Sequence, residues 1–153
     1  MRKNNVSSFH KKSSPLMKAA KLVMILLSLY FSCAMPVLTG AGLVYNRESY
    51  GGSIASTGIL MILSAVLMTS GAFLCLPGKK LLDKLSVPMS ASGLALCMFM
   101  LKRLTAHADS SGWTDKYTLE PISSMYCSRI LPCIAPVAIA VVIAAAQIFS
   151  GDD

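Results

Sequence analysis

The stretch LSVPMSASGLALCMFML, residues 85–101, decides the architecture. It holds no Asp, Glu, Lys or Arg and is bounded by Lys84 and Lys102. As a helix it reaches only about 25 Å, against a hydrocarbon thickness near 30 Å. Ser86, Pro88, Ser90, Ser92 and Gly93 interrupt its first half, yet no polar face recurs at helical spacing, as a helix lying flat in the membrane surface requires. Its second half, LALCMFML, is wholly apolar. Lys84, Lys102 and Arg103 can also extend their charged heads toward water and lengthen the effective span. We therefore expect residues 85–101 to cross a membrane. The alternative is a re-entrant or interfacial segment, which leaves three spans.

The rest of the chain points to a bilayer. Of 153 residues, 54% are hydrophobic and 14% charged, whereas a soluble domain carries about a quarter charged residues. No Asp, Glu, Lys or Arg occurs between Lys21 and Arg47, between Glu48 and Lys79, or between Arg129 and Asp152. These runs, with 85–101, predict spans at about 22–45, 53–76, 85–101 and 132–149. The expected fold is an all-α, polytopic membrane protein, a four-helix transmembrane bundle. Around this domain of 22–149 we expect a basic, mobile tail over 1–21, an extramembrane loop over 104–129 and an acidic end over 150–153.

Local signals refine the spans. The run LVMILLSLYFSCAMPVL is longer than the apolar core of a cleaved signal peptide, about 7–15 residues, and is read as retained. The Ser-rich, acid-free leader before it is also compatible with organelle import. Pro36 should kink the first span, because proline lacks the N–H and crowds the preceding turn. Span two is rich in Ser, Thr, Ala and Gly, which let helices approach closely where lipid supplies no hydrophobic drive. It should end at Pro77 and Gly78, followed by Lys79 and Lys80 at the helix C-terminus. In the loop, PISSMYCSRI places Ile122, Met125, Tyr126 and Ile130 on one helical face. That pattern predicts a short interfacial helix and then a turn at Pro132. Tyr45, Tyr50, Trp113 and Tyr117 are expected as interfacial anchors.

Charge sets the orientation. With four spans, Arg2, Lys3, Lys11, Lys12, Lys18 and Lys21 share a side with Lys79, Lys80 and Lys84, while the opposite loops carry Arg47, Lys102, Arg103, Lys116 and Arg129. The positive-inside rule then places both termini in the cytoplasm, in a plasma (cytoplasmic) membrane. If 85–101 does not cross, every basic residue except Arg47 is cytoplasmic. That count is more lopsided still. The net charge of +7 therefore serves orientation rather than specific nucleic-acid binding, because it is split among segments flanking apolar runs.

The chemistry-bearing residues are sparse. Cys127 and Cys133 would lie outside the cytoplasm, where disulfides persist. In one unbroken helix they point about 240° apart, so pairing needs a break at Pro132. Unpaired filler is the simpler account, and the chain contains no Cys-x-x-Cys pair of the kind that membrane thiol oxidases use. The loop DSSGWTDKYTLE, 109–120, has the length of a calcium loop but carries Thr114 where the sharp turn requires glycine. His107 and Asp109 are too few for a metal site. Cys97, Met98 and Met100 are soft ligands, but alternate residues on a helix diverge, so methionine as gap filler is preferred over copper binding. No metal or cofactor is expected.

The apolar runs also contain no Asp, Glu, His, Lys or Arg, the groups that carry protons or charged substrates within a membrane. This favours a non-catalytic accessory or assembly subunit of a membrane complex or transport system. The alternatives are a homo-oligomeric channel or transporter lined by hydroxyls and a thiol-redox enzyme using Cys127 and Cys133. Ala91 with Ala95, and Ala140 with Ala144, are candidate helix-packing positions, within the chain or against protein partners or further copies in the bilayer.

Overall fold

A computed structural model describes residues 15–77, 79–114 and 120–149, and every regular element among them is helical. Helix α1 (Pro15–Ser32) passes through a five-residue π-helical segment (Cys33–Val37) into α2 (Leu38–Tyr45). A short α3 (Arg47–Tyr50) leads to α4 (Gly52–Leu74), followed by α5 (Lys80–Ser110) and α6 (Ile122–Phe149). Helix α1 starts ahead of residue 22 and carries Lys18 and Lys21, which the sequence places in the tail. At Pro36 the missing N–H of proline leaves the carbonyl of Ser32 without its usual donor. The wider π turn lets the next N–H serve that carbonyl, so the first span is deformed there and continues.

Among the described residues, three helical stretches are long and apolar enough to cross a membrane: Pro15–Ser32, Gly52–Leu74 and Leu81–Ser110. Residues 85–101 are thus the middle of a 31-residue helix of about 46 Å, and Pro88 is carried inside it. Lys102 and Arg103 end the apolar run without ending the helix, because charged residues are good helix formers once outside hydrocarbon. In α6 the described stretch Ala135–Ala146 is likewise apolar, within a sequence run free of Asp, Glu, Lys and Arg between Arg129 and Asp152.

The non-helical connection from α5 to α6 runs from residue 111 to 121, inside the expected extramembrane segment 104–129, and an isolated antiparallel bridge joins Thr114 to Pro121. One expectation is corrected beside it: the helix continues through Pro132 without the predicted turn, so the expected interfacial helix and the last apolar run form one element. A proline in a long helix removes one backbone bond and crowds one turn, and the many remaining bonds hold α6 together.

Helix α4 packs against α1, α2 and α5, while α6 packs against α1 and α5. Between them lie Phe31, Leu43, Met61, Met68, Leu101 and Leu104, all buried. A second cluster joins Met17, Ala20 and Met24 of α1 to Ala140 and Ala144 of α6. The outer faces are equally apolar, with Leu22, Leu26, Ile59, Leu63, Val66 and Phe99 exposed. Apolar side chains both inside and outside suit helices that face lipid.

Glycines set the closest approaches. A Cβ on Gly40 would lie 2.6 Å from the carbonyl oxygen of Gly58, and one on Gly93 would lie 2.7 Å from the backbone nitrogen of Met68. Hydroxyls then add short bonds. Ser32 Oγ donates to the Ala65 carbonyl at 3.2 Å and lies 2.6 Å from Thr69 Oγ1, tying α1 to α4 one residue before the π segment. Replacing Ser32 by alanine should cost about 0.6–1.7 kcal/mol, the range for interhelical hydrogen bonds in membranes. Denaturant titration in detergent, combined with Thr69→Val in a double-mutant cycle, measures it. Additive losses would show that the contact contributes nothing.

Candidate functional site: an aromatic-rimmed cleft

A half-open cleft of about 400 Å³ lies at the end of the helices that carries the α5–α6 connection. Leu43 and Leu104 form its buried floor, and Leu38, Thr39 and Gly42 form the α2 wall. Asn46, Tyr50 and Trp113 close its outer end.

Backbone chemistry positions each rim residue. Helix α5 ends at Ser110 with Ser111 as its cap, and Gly112 adopts φ +65°, a conformation that favours glycine. The chain therefore folds back, with Gly112 N–H donating to the Asp109 carbonyl at 3.2 Å and Trp113 N–H to that of Ala108 at 2.9 Å. This cap lays the indole over the last turn of α5, edge-on to His107 at 5.4 Å between ring centroids and 5.0 Å from the ring of Tyr50. On the other wall, Asn46 ends α2 by donating both its backbone N–H (3.1 Å) and its side-chain Nδ2 (2.9 Å) to the Gly42 carbonyl. Gly51, at φ +85°, turns the chain from α3 into α4 and leaves Tyr50 facing Trp113.

Cations mark the height of the cleft. Lys102 and Arg103 precede Leu104 on α5, and Arg103 Nη2 donates to Ser53 Oγ at 3.0 Å, fastening α5 to the start of α4. The cleft thus straddles the level at which the apolar run of α5 gives way to charge. At the opposite end, Lys21 Nζ meets Asp83 Oδ2 at 2.8 Å, with both side chains largely enclosed. Nearby, Cys75 Sγ donates to Ser86 Oγ at 2.8 Å, and Ser86 Oγ donates to the Asp83 carbonyl at 2.8 Å.

The expected site residues fall in different places. Tyr50 and Trp113 come together in the cleft, whereas Tyr45 is 89% exposed and outside it. Tyr117 lies outside the described residues, as do Arg2, Lys3, Lys11 and Lys12. Lys18 and Lys79 are exposed, Lys84 is half-buried, and Lys80 opens α5, its side chain outside the description. Ala140 and Ala144 are buried against α1. Ala91 is half-buried and Ala95 exposed; the face of α5 turned to α4 carries Ser86, Ser90, Gly93 and Cys97 instead. Ser90 and Gly93 press on Gly71 and Met68, so small size alone was a poor guide to the rotation of the helix. The side chains of Cys127 and Cys133 lie outside the description, and the backbone break at Pro132 on which their pairing depends is not formed. Among the described residues no three His, Cys, Asp or Glu side chains converge.

Sequence reasoning missed Gly112, Asn46 and Asp83. A helical run closed by Ser-Gly signals the first, and asparagine after an apolar helix signals the second. Nothing local announces the partner of Asp83. No protein-family model, curated protein or solved structure is detectably similar to this chain.

Proposed function

We propose that the protein is a four-span component of the plasma membrane, with both termini in the cytoplasm, acting as a non-catalytic accessory or assembly subunit of a larger membrane complex or transport system. One observation carries the reading: the polar groups inside the helices are used for cohesion. Ser32 Oγ donates to the Ala65 carbonyl, joining α1 to α4, and Cys75 Sγ donates to Ser86 Oγ, joining the end of α4 to α5, while Ser64, Thr57 and Thr69 donate within their own helix. The apolar runs contain no ionisable group other than tyrosine and cysteine, so proton or ion coupling has no carrier there.

The directions of the helices support a reading with four crossings. Helix α6 runs back along α1, and its Ala140 and Ala144 sit against Met17, Ala20 and Met24 in the first half of α1. The end of α6 therefore lies beside the start of α1, as two termini on one side require. The basic excess at that end, nine residues against five, orients it toward the cytoplasm.

Impermeant thiol labelling tests the arrangement. A cysteine at Ser111, introduced where the other cysteines have been replaced, should react in intact cells. Reaction only after permeabilisation would overturn the orientation. Purified protein in vesicles should show no solute flux, and the native protein should co-purify with a larger membrane partner. Flux from the isolated chain would replace the accessory role with the channel.

A further inference from the structure

We infer that the cleft between α2 and α5 is a binding site for one phospholipid of the adjoining leaflet. One acyl chain lies along Leu38 and over Leu43 and Leu104, and the ester region meets Asn46, Tyr50 and Trp113. The inference rests on the membrane reading above and adds a ligand to it.

The lining changes character along one axis. Leu38 is 68% exposed at the inner end, nearest the π segment, while Asn46 and the paired rings of Tyr50 and Trp113 close the outer end. Eight residues of helix separate Leu38 from Asn46, about 12 Å. Over that distance the wall runs from Leu38 and Thr39 at the inner end, past Gly42 and Leu43, to the amide of Asn46 and the aromatic pair. Apolar below and polar above, in the direction of the membrane normal, is the polarity of a lipid rather than of a soluble ligand, whose inner end would face hydrocarbon. Tyrosine and tryptophan also present an apolar body with a polar tip, which suits the ester level of a bilayer.

The dimensions argue against a protein occupant. A transmembrane partner helix presents a face across about 30 Å of hydrocarbon, more than twice the length of this groove, and the aromatic pair blocks its outer end. A volume of about 400 Å³ lies within the roughly 300–1,000 Å³ of small-ligand sites. The space exists because position 42 is glycine: a Cβ there would meet nothing within 4 Å, in contrast to Gly40 and Gly58 on the packed side.

Trp113, the chain's one tryptophan, is a built-in reporter. The full-length protein is placed in phosphatidylcholine bilayers containing a graded fraction of phosphatidylcholine with a dibrominated acyl chain, and Trp113 fluorescence is recorded. The expected result is quenching that rises steeply at low brominated fraction and reaches a plateau. Gly42→Leu, which fills the cleft, should show only the gradual quenching of random contact, with Gly42→Ala close to wild type and circular dichroism unchanged. Thr39→Leu, narrowing the same wall, provides a second filling variant. Gradual quenching in the wild type overturns the proposal, as does a plateau that survives both filling variants. A Trp113 shielded from brominated lipid at every fraction also overturns it and assigns the cleft to a protein contact. Labelling of Ser111→Cys from the cytoplasmic side would reverse the orientation while leaving saturable quenching intact, so the two ideas fail separately.

Discussion

Exchanging Gly58 for valine is expected to destabilise the protein by at least the 1–3 kcal/mol or so that overpacking a filled core costs. The added Cβ would come within 2.7 Å of the Gly40 carbonyl oxygen and 3.0 Å of Leu43 Cβ. The first of these neighbours is backbone and cannot rotate away, so α2 must separate from α4. The reciprocal clash at Gly40, with the Gly58 oxygen at 2.6 Å, makes the contact mutual. Because α2 also forms one wall of the cleft, the variant should alter Trp113 fluorescence as well as stability. Gly42→Ala is the matched control. Two residues along the same helix its Cβ meets no atom within 4 Å, and alanine for glycine in a helix gains up to about 1 kcal/mol. Thermal or SDS denaturation followed by circular dichroism should therefore move in opposite directions for the two variants. Equal effects would show that the helices do not touch backbone to backbone.

Lys21→Met is the second large effect. The Lys21–Asp83 contact is 2.8 Å long, with side-chain exposures of 19% and 16%. Among the described residues, the other carboxylate oxygen, Oδ1, is buried without a hydrogen-bond partner. Removing the lysine leaves an enclosed carboxylate with little to offset its desolvation. Breaking a fully buried pair costs about 3–5 kcal/mol, and partial water access at this end brings the loss toward the lower figure. The double variant Lys21→Met/Asp83→Leu removes both charges and should recover most of the loss, since the penalty lies in the orphaned charge. Chemical denaturation of both singles and the double measures the coupling. A double variant whose loss equals the sum of the singles would mean that the two side chains do not interact.

These two sites show how legibility divides. The helices could be read from residues 22 to 101 because long apolar runs in hydrocarbon must bond their own backbone, which leaves the helix as the local solution. The boundaries were less legible. Residues 85–101 read as short because charge marks the end of the apolar run, whereas Lys102, Arg103 and the residues up to Ser110 continue the same helix. Pro132 looked like a turn, yet proline restricts only its own turn of helix. The cleft was half legible: Tyr50 and Trp113 were marked as border aromatics by type, but their contact depends on the glycine cap at Gly112 and the turn at Gly51.

What the sequence determined by itself is the helical class, the approximate apolar stretches and the unequal charge at their ends, because these follow from backbone hydrogen bonding and solvation residue by residue. Only the tertiary structure decided which face of each helix turns inward. Apolar side chains cover these helices on every side, so no periodic contrast marks the buried face. The pairing of Gly40 with Gly58, of Lys21 with Asp83 and of Tyr50 with Trp113 depends on helix rotation and offset. Those are set by the sum of many packing contacts between segments far apart in the chain.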